Sequence, residues 1–484
     1  MSGSVFNATM FLAILPELWI FVLASLVLIL DLALPKDQHR VLGWVTAIGL
    51  LLGIVVSLIV AVPSQQTQFV WGNLIRFDHL GFVFSLLFMF GAAMTALFSS
   101  NLEKIGQRGD FYVLMLVSTL GMCLMASAAD VIMLYLAIET TSIPLYVLAG
   151  FYKEDDKSTE AGFKYLLFGA MTSAIMLFGF SYLFGLAGTT NLYELVNQVA
   201  QNQLSPFLLY GVLAFILVGF AFKISAFPFH FWAPDVYSGA PTPIAGFLST
   251  ASKAAGFAVL VRVLWVGFPE IQPYWVYIMT GVSIATMTVG NLLALAQKDI
   301  KRLLAYSSIA HAGYALIGFV AVSELGATSV IFYLIVYLLT NLAAFGTVSV
   351  FEKTSGSSEI ASFAGLSRRS PWLAMMMLVA FLSLAGMPPF GGFVIKFTVF
   401  AAAVQRGLIG LAVIGVLNSI VGLYYYLTVL KVVYLYRSEE EHIPVAVPQA
   451  SLLALAVLCI GVIVMGIIAA PWFDIGTLGA KALW

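Results

Sequence analysis

Six ionisable side chains lie inside long apolar stretches of the sequence, at Glu139, Lys164, Lys223, Lys253, His311 and Lys396. The chain is 61% hydrophobic and only 9% charged, so charged residues are rare elsewhere in these stretches. One charge at the centre of a membrane helix costs roughly 2.5–3.5 kcal/mol, so four buried lysines cost about 10 kcal/mol before any pairing. Groups kept at such a cost mark ion or proton pathways. We therefore predict that these six residues form a proton path across a membrane.

Lys223 and Lys396 are the strongest candidates for proton carriers, because each lies close to prolines that interrupt its span. Loss of hydration destabilises a buried ammonium, whereas a nearby carboxylate stabilises it. Moving or neutralising that carboxylate therefore switches the lysine between holding and releasing a proton. The sequence leaves one alternative open, in which each ammonium is held permanently by backbone carbonyls of the broken helix.

Glu139 is the carboxylate that the pattern places deepest. It follows Asp130, where a span is predicted to begin, by nine residues. A helix rises 1.5 Å per residue, so Glu139 lies about 13 Å deep, near the middle of a hydrocarbon core roughly 30 Å thick. We predict a functional role for it, with a satisfied structural pair as the alternative.

Hydroxyl-bearing neighbours surround Lys253 and His311. Lys253 ends a run that contains Ser249, Thr250 and Ser252, and their hydroxyls are suited to relaying a proton. A histidine titrates near neutral pH and passes protons through either ring nitrogen. His311 lies about ten residues into its span, so we expect it to take part, although a packed, hydrogen-bonded histidine is the alternative.

Lys164 is the least certain member of the predicted path. It follows Glu160 by one helical turn and lies near the end of its span. A long lysine stem can extend to the membrane interface and keep its ammonium hydrated. The sequence alone therefore leaves an interfacial role and a path role equally open for Lys164.

The elements that must position these residues are apolar helices. Using about 20 apolar residues per span, we predict fourteen spans, near 11–33, 41–61, 79–99, 111–128, 130–150, 160–185, 207–227, 240–266, 272–295, 300–320, 325–350, 372–402, 407–433 and 449–470. No segment between them is long enough to fold as a soluble domain. The sequence therefore predicts an all-α polytopic protein whose residues 1–484 form a single integral membrane domain.

Basic residues are distributed unequally between the two sets of connecting loops. One set holds fourteen of them: Lys36, Arg40, Lys104, Arg108, Lys153, Lys157, Lys298, Lys301, Arg302, Lys353, Arg368, Arg369, Lys431 and Arg437. The other set, with the C-terminal tail, holds only Arg76, Arg262, Arg406 and Lys481. Because basic loops stay on the cytoplasmic side, we expect both termini on the opposite side of a cell (inner) membrane.

Prolines interrupt the seventh and twelfth predicted spans, at Pro228 and Pro234 and at Pro388 and Pro389. Interior proline removes a backbone hydrogen bond, and membranes tolerate the break only where protein or a water-filled cavity satisfies the freed groups. Interrupted segments at matching positions in two halves are typical of internally repeated transporters. We therefore predict two inverted five-helix repeats, over residues 111–266 and 272–433. The alternative is that the prolines only kink ordinary helices.

Several classes of cofactor site are missing from the sequence. It contains no glycine-rich dinucleotide motif, no Walker loop and no clustered cysteines. Cys123 and Cys459 lie in separate apolar spans and are expected to be small core residues. We therefore expect no cofactor and no metal on this chain, so that another subunit or an ion gradient must drive any pumping.

Three motifs together resemble a known family. Residues 223–243 (KISAFPFHFWAPDVYSGAPTP), 298–311 (KDIKRLLAYSSIAH) and 386–396 (GMPPFGGFVIK) are similar, in this order, to the antiporter-like, proton-conducting subunits of respiratory complex I and of Mrp antiporters. The resemblance extends over nearly the whole chain. Within the family the chain is most similar to the N-type subunits. The M type usually has glutamate at the position of Lys396, and the L type continues into a long lateral helix, whereas twelve residues follow Trp472 here.

The resemblance implies a role for each ionisable residue. Glu139 and Lys223 would be the modulating ion pair of one half-channel, and Lys164 matches the family's lysine on the sixth span. Lys253 and His311 would bridge a central hydrophilic axis. Lys396 would gate the exit half.

The resemblance also implies the assembly and its chemistry. The chain would be a proton-translocating subunit of an NADH:quinone oxidoreductase, packed in the bilayer against other membrane-arm subunits, including other antiporter-like ones, and not bound to nucleic acid. NADH, FMN, iron–sulfur clusters and quinone would bind on or between other subunits. A gradient-driven Mrp-type cation/proton antiporter subunit is the alternative. A structural spacer that has lost pumping is a third reading, and the sequence does not separate NADH from ferredoxin as the electron donor.

Overall fold

A computed structural model describes residues 7–64, 66–201, 206–439 and 441–483. Thirteen of the described helices are long and apolar enough to cross a membrane. Two shorter apolar helices, Pro371–Ala385 and Gly391–Gln405, follow one another and together occupy the predicted twelfth span. The protein is therefore an all-α polytopic membrane protein, and the predicted spans are confirmed, the twelfth as a pair of half-helices.

The helices of the first half are α1 (Ala8–Ala13), α2 (Leu15–Ala33), α3 (Val41–Val60), α4 (His79–Ser99), α5 (Gly109–Ser127), α6 (Val131–Ala149), α7 (Asp156–Ala187), α8 (Leu192–Gln201), α9 (Pro206–Ile224), α10 (Trp232–Gly239), α11 (Thr242–Phe247) and α12 (Lys253–Val261). Those of the second half are α13 (Gln272–Ala294), α14 (Ile300–Val320), α15 (Glu324–Ser355), α16 (Leu366–Arg369), α17 (Pro371–Ala385), α18 (Gly391–Gln405), α19 (Ile409–Leu435), α20 (Gln449–Ile467) and α21 (Ala470–Lys481). Short 3₁₀ turns span Lys36–Gln38 and Ile360–Phe363, and π-helical turns span Leu248–Ser252 and Arg262–Val266.

A short antiparallel hairpin joins α3 to α4. Its strands are β1 (Gln68–Val70) and β2 (Ile75–Phe77), paired in the register Gln68 with Phe77. Between the strands Trp71 and Asn73 adopt positive φ on either side of Gly72. The hairpin lies against α1 and α5.

Corresponding helices in the two halves begin and end alike. The helices α6 and α14 are each preceded by an aspartate, Asp130 or Asp299, whose carboxylate accepts backbone N–H groups of the first turn. The next spanning helices, α7 and α15, both have 32 residues. Each of these ends at a glycine with positive φ, Gly188 or Gly356, where only glycine turns the chain without strain.

Both predicted helix breaks are present, one between α9 and α10 and the other between α17 and α18. Each begins at a residue with positive φ, Ser225 in the first and Gly386 in the second. The following N–H reaches back to a carbonyl five residues earlier, from Ala226 at 2.8 Å and from Met387 at 3.0 Å. This bond closes the helix end in the same way at both breaks, and each break contains a cis X–Pro peptide bond.

The core surrounds α15, which is buried at every residue from Gly326 to Phe351. The helices α4, α11, α14, α17, α18, α20 and α21 pack around it. Large apolar side chains on outer helices point away from the protein, with Leu32 80% and Tyr277 83% exposed. An apolar exterior of this kind is expected where lipid replaces water.

Arg76 and Arg262, which the sequence grouped with the loops, are both buried. Arg262 forms two hydrogen bonds with the Asp78 carboxylate, at 2.9 and 3.0 Å, and donates further to the carbonyl of Ala126. Arg76 contacts the same carboxylate at 3.2 Å. The three side chains form a buried charge cluster beside the hairpin, in which the Asp78 carboxylate is shared by two arginines. This pairing offsets part of the free-energy cost of burying the charges.

Candidate functional site

Lys223 is the penultimate residue of α9, at the edge of the first helix break. Its side chain is 5% exposed, and its Nζ donates to the hydroxyl of Ser142 on α6 at 2.9 Å. The stem of Lys223 lies against α12, since a Cβ added at Gly256 would be 3.2 Å from Lys223 Cγ. The C-terminal end of a helix carries partial negative charge, which stabilises a cation at this position.

Glu139 lies on α6, three residues before Ser142, and is only partly buried. Its carboxylate accepts a short hydrogen bond from the hydroxyl of Ser173 on α7. Among the described residues no ion pair within 4.0 Å joins Glu139 to Lys223. Glu139 is instead bound to the hydroxyl of Ser173, and Lys223 to that of Ser142, which lies one turn after Glu139 on α6.

Lys253 begins α12, directly after the π-helical turn Leu248–Ser252. Its side chain is 2% exposed, and its Nζ donates to the hydroxyl of Ser308 on α14 at 2.8 Å. The ammonium also lies 5.9 Å from the ring centroid of Tyr237, a distance at which the ring face attracts a cation. The neighbouring hydroxyls of Ser249 and Thr250 donate to the Gly246 carbonyl, and within the described part of the chain neither is hydrogen-bonded to Lys253.

His311 lies in the interior of α14 and is 3% exposed. Its Nδ1 is 2.7 Å from the hydroxyl of Tyr333, and its Nε2 is 3.4 Å from the hydroxyl of Tyr426. Tyr337 stacks on the imidazole ring at 4.8 Å. Both ring nitrogens therefore have a hydroxyl partner, as a group that passes protons through either nitrogen requires.

Lys396 lies on α18 but reaches back across the second break to the end of α17. Its Nζ donates to the carbonyls of Leu384 at 2.9 Å and Ala385 at 3.1 Å, and to the hydroxyl of Ser419 on α19 at 2.9 Å. It also lies 5.0 Å from the ring centroid of Tyr314. The carbonyl contacts are those of the alternative left open by the sequence, while Ser419 adds a hydroxyl on a partly exposed face.

Lys164 lies apart from the other five residues, near the N-terminal end of α7. Its Nζ is 2.6 Å from the carboxylates of both Glu160 and Asp235, and its side chain is 34% exposed. Arg302 binds the other oxygen of Asp235 at 2.8 Å. Burial raises the pKa of Asp235, but the hydrogen bonds and charges of Lys164 and Arg302 outweigh it, so this pKa lies below its usual value.

The six predicted residues thus form three groups. Lys223 is bound to Ser142, one turn after Glu139 on α6. Lys253 and Lys396 both lie beside the part of α14 that carries His311, through Ser308 and Tyr314, and Lys164 belongs to a surface ion network. Sequence reasoning missed the buried tyrosines that line the site, at Tyr237, Tyr314, Tyr333, Tyr337 and Tyr426. Within the described residues no group of three His, Cys, Asp or Glu side chains is placed to hold a metal ion.

Known proteins similar to this chain agree on one family. The family described as "NADH:quinone oxidoreductase/Mrp antiporter, TM" matches residues 128–422. A Moorella thermoacetica protein named NADH-quinone oxidoreductase subunit N is 44% identical over 446 residues, which is 92% of this chain and 93% of that protein. Subunit 2 of the NAD(P)H-quinone oxidoreductase of Synechococcus elongatus is 40% identical over 430 residues, covering 88% of this chain and 82% of that protein.

Solved structures share the fold over almost the entire length. A chain of respiratory complex I from Thermus thermophilus is 32% identical, with a TM-score of 0.79, covering 95% of this chain and 98% of the other. A chain of the Mrp complex from Dietzia has a TM-score of 0.86 over 99% of this chain and 98% of its own, at 18% identity, and shows the common fold alone. The chain therefore belongs to the NADH:quinone oxidoreductase/Mrp antiporter family of membrane proteins.

Proposed function

We propose that this chain translocates protons as a membrane-arm subunit of an NADH:quinone oxidoreductase, driven by quinone reduction elsewhere in the complex. One observation carries the proposal. A series of buried ionisable groups, each bound to a hydroxyl, runs from Lys223 at the first helix break to Lys396 at the second. It does so in a chain 44% identical to a protein named subunit N of that enzyme.

In this proposal the two broken helices place the two lysines. A helix end offers free carbonyls and a partial negative charge, which favour a nearby ammonium. The carbonyls of Leu384 and Ala385 accept from Lys396 in this way, and Lys223 lies at the end of α9. Lys253 and His311 lie between the two breaks, and their hydroxyl partners can each accept one proton and donate another. Proton transfer then proceeds from Lys223 through Lys253 and His311 to Lys396.

Glu139 sets the proton affinity of Lys223 in the proposed mechanism. A carboxylate near a lysine favours the charged form of that lysine. Glu139 is bound to Ser173 and not directly to Lys223, so a change in its charge would alter the proton affinity of Lys223 without breaking an ion pair. A charge shift that arrives along the membrane arm would act at this point. Lys164, paired with Glu160 and Asp235, contributes to the electrostatic field at the loop side of α7.

We also propose that residues 111–266 and 272–433 form two inverted repeats, with both termini on the non-cytoplasmic side. The matching caps of α6 and α14 and the equal lengths of α7 and α15 support the repeats. The excess of basic residues in one set of loops supports the sidedness. NADH, FMN, iron–sulfur clusters and quinone bind on or between partner subunits, among them other antiporter-like chains.

The test is the variant Lys223→Ala in the assembled complex, measured in inverted membrane vesicles. We expect the complex to assemble and both NADH-driven quinone reduction and proton uptake to fall together, since a tightly coupled pump cannot turn over without its carrier. Lys431→Ala, which removes an exposed lysine on α19, is the matched control and should leave both rates unchanged. Full rates in Lys223→Ala would refute the assignment of pumping to this subunit.

One further measurement distinguishes the proposed redox-driven subunit from a Mrp-type antiporter subunit. Vesicles with an imposed sodium or potassium gradient and no NADH would show cation/proton exchange if the chain worked as a gradient-driven antiporter. We expect no exchange, because the relatives of 38–44% identity bear the name NADH-quinone oxidoreductase subunit N. Exchange that Lys223→Ala abolishes would favour the antiporter instead.

A further inference from the structure

A gap separates the two lysines on which the proposed proton path depends. Lys223 donates to Ser142, and Lys253 donates to Ser308, and these two hydroxyls lie on different helices, α6 and α14. The lysines themselves are close neighbours in the fold, since the stem of Lys223 lies against Gly256, three residues after Lys253. A proton that leaves Lys223 therefore needs a short link to reach Lys253.

Two buried hydroxyls lie near the first helix break and the Lys253 ammonium. Ser225 follows Lys223 by two residues, and Tyr237 lies on α10. Both residues have 0% exposure, and among the described residues neither hydroxyl forms a short, well-directed hydrogen bond. The hydroxyl of Tyr237 faces the hydroxyls of Ser225 and Ser308, and its ring lies against the Lys253 ammonium at 5.9 Å.

A buried hydroxyl that lacks a well-directed hydrogen bond costs up to about 1–3 kcal/mol, and native proteins keep few of them. Packing accounts for the aromatic ring of Tyr237, which meets Trp232 edge-on at 5.9 Å and Phe345 at 6.3 Å. Packing does not account for its hydroxyl, because a phenylalanine would fill the same space without the cost. The hydroxyl therefore has a use that the ring contacts do not explain.

We propose that Tyr237 is a proton-transfer residue that joins Lys223 to Lys253, with Ser225 on one side and Ser308 on the other. This inference rests on the proposed function. Its phenol accepts a proton from the Ser225 side as its own proton moves to the Ser308 side. One O–H bond forms and one breaks at the Tyr237 oxygen, and the same exchange occurs at each serine.

The net result is one proton moved from the Lys223 ammonium to the neutral amine of Lys253. No electrons move, and no other reactant is needed. Rotation of the three hydroxyls then restores the starting arrangement. Because a phenol both donates and accepts, Tyr237 never has to hold a full charge for long.

The test is Tyr237→Phe in the assembled complex, with NADH-driven quinone reduction and proton uptake measured in inverted vesicles. The variant keeps the ring and removes only the hydroxyl. We expect both rates to fall about a hundredfold, the lower end of the range for loss of a positioned proton-transfer group. The control is Tyr112→Phe on α5, which removes a hydroxyl of equal burial that donates to the carbonyl of Gly106 in the turn before that helix.

Full rates in Tyr237→Phe would overturn the proposal. If Lys223→Ala still abolished both rates, the proposed function would stand and only the link through Tyr237 would fall. If both variants kept full rates, the proposed function would fall as well. Should Tyr237→Phe fail to assemble, Ser225→Ala tests the other end of the link by the same two rates, with a decrease expected and full rates counting against it.

Discussion

The ammonium of Lys396 donates a 2.9 Å hydrogen bond to the carbonyl of Leu384, the penultimate residue of the half-helix α17. Lys223 is itself the penultimate residue of the half-helix α9. One lysine therefore belongs to the helix end before its break, and the other returns to the equivalent end from beyond its break. Both lysines are thus associated with the helix end before a break, Lys223 through its position in the chain and Lys396 through its ammonium.

The contacts of Lys396 predict the cost of removing it. Lys396→Met keeps most of the side-chain volume but leaves the carbonyls of Leu384 and Ala385 without this donor. Because unsatisfied buried polar groups each cost about 1–3 kcal/mol, we expect a lower thermal stability of the purified complex together with reduced proton uptake. Lys431→Met is the matched control. An unchanged melting temperature together with full proton uptake in Lys396→Met would contradict both the structural and the functional role of Lys396.

The separation of Glu139 from Lys223 predicts an intermediate effect for Glu139→Gln. Glutamine keeps an oxygen that can accept from Ser173, so assembly should be preserved. The variant removes only a long-range charge, so we expect quinone reduction and proton uptake to fall less than in Lys223→Ala. Steady-state rates of the two variants in the same vesicles test this order. An equal or larger loss in Glu139→Gln would indicate a direct ion pair during turnover.

The buried charge cluster predicts a large loss of stability for Asp78→Ala. The substitution leaves Arg76 and Arg262 buried without their shared carboxylate, and breaking a buried pair costs about 3–5 kcal/mol. Arg108→Ala removes a pair whose side chains are 53% and 51% exposed, for which about 0–1 kcal/mol is expected. Thermal denaturation of the two variant complexes compares them directly, and similar melting temperatures would contradict a structural role for the cluster.

The ion network around Asp235 predicts a dependence of stability on pH. A carboxyl whose folded-state pKa is depressed contributes stability above its unfolded pKa of about 3.9, and that stability is lost as the pH falls through the folded value. Asp235→Asn should therefore be less stable than the unmodified protein at pH 7, by about 1 kcal/mol for a partly exposed pair. Melting curves from pH 7 down to pH 3 measure the difference. A difference that grows as the pH falls would have the wrong sign.

The close contact at Gly392 predicts that α17 and α18 can pack together at the second break only if this residue has no side chain. A Cβ added there would lie 1.7 Å from the carbonyl oxygen of Ser383, which is backbone and cannot move aside. We expect Gly392→Ala to prevent α17 and α18 from meeting and to abolish stable assembly. Gly410→Ala is the control, since its Cβ would meet nothing within 4 Å. Blue-native electrophoresis of the membranes compares the two, and normal assembly of Gly392→Ala would show that the break can relax.

The spans and the two breaks could be predicted from sequence because each depends on local properties. Apolar runs of sufficient length specify membrane helices, and Pro228 and Pro388 cannot continue one. The contacts of Lys396 and Lys164 could not be predicted, because they depend on which helix end or carboxylate the fold brings near. Arg262 and Asp78 are 184 positions apart, and nothing in either local sequence signals their pairing.

The tyrosines were missed for a different reason. Within an apolar helix, Tyr237 or Tyr333 has the same pattern as a core aromatic residue, and only the position of its hydroxyl gives it a further role. That position depends on the rotation of several helices about their axes. A tyrosine hydroxyl therefore indicates a role in proton transfer only once the structure shows which ionisable residues lie beside it.

The burial of α15 from Gly326 to Phe351 restricts how the protein can move during turnover. A rigid-body rocking of one half against the other would slide this helix past α4 and α11 of the first half, and close-packed interiors resist such shear. Rotation of hydroxyls and of the Lys253 and His311 side chains requires no such repacking. The fold therefore favours gating by small side-chain movements within a stationary helical frame, and it opposes alternating exposure of a central cavity to the two sides.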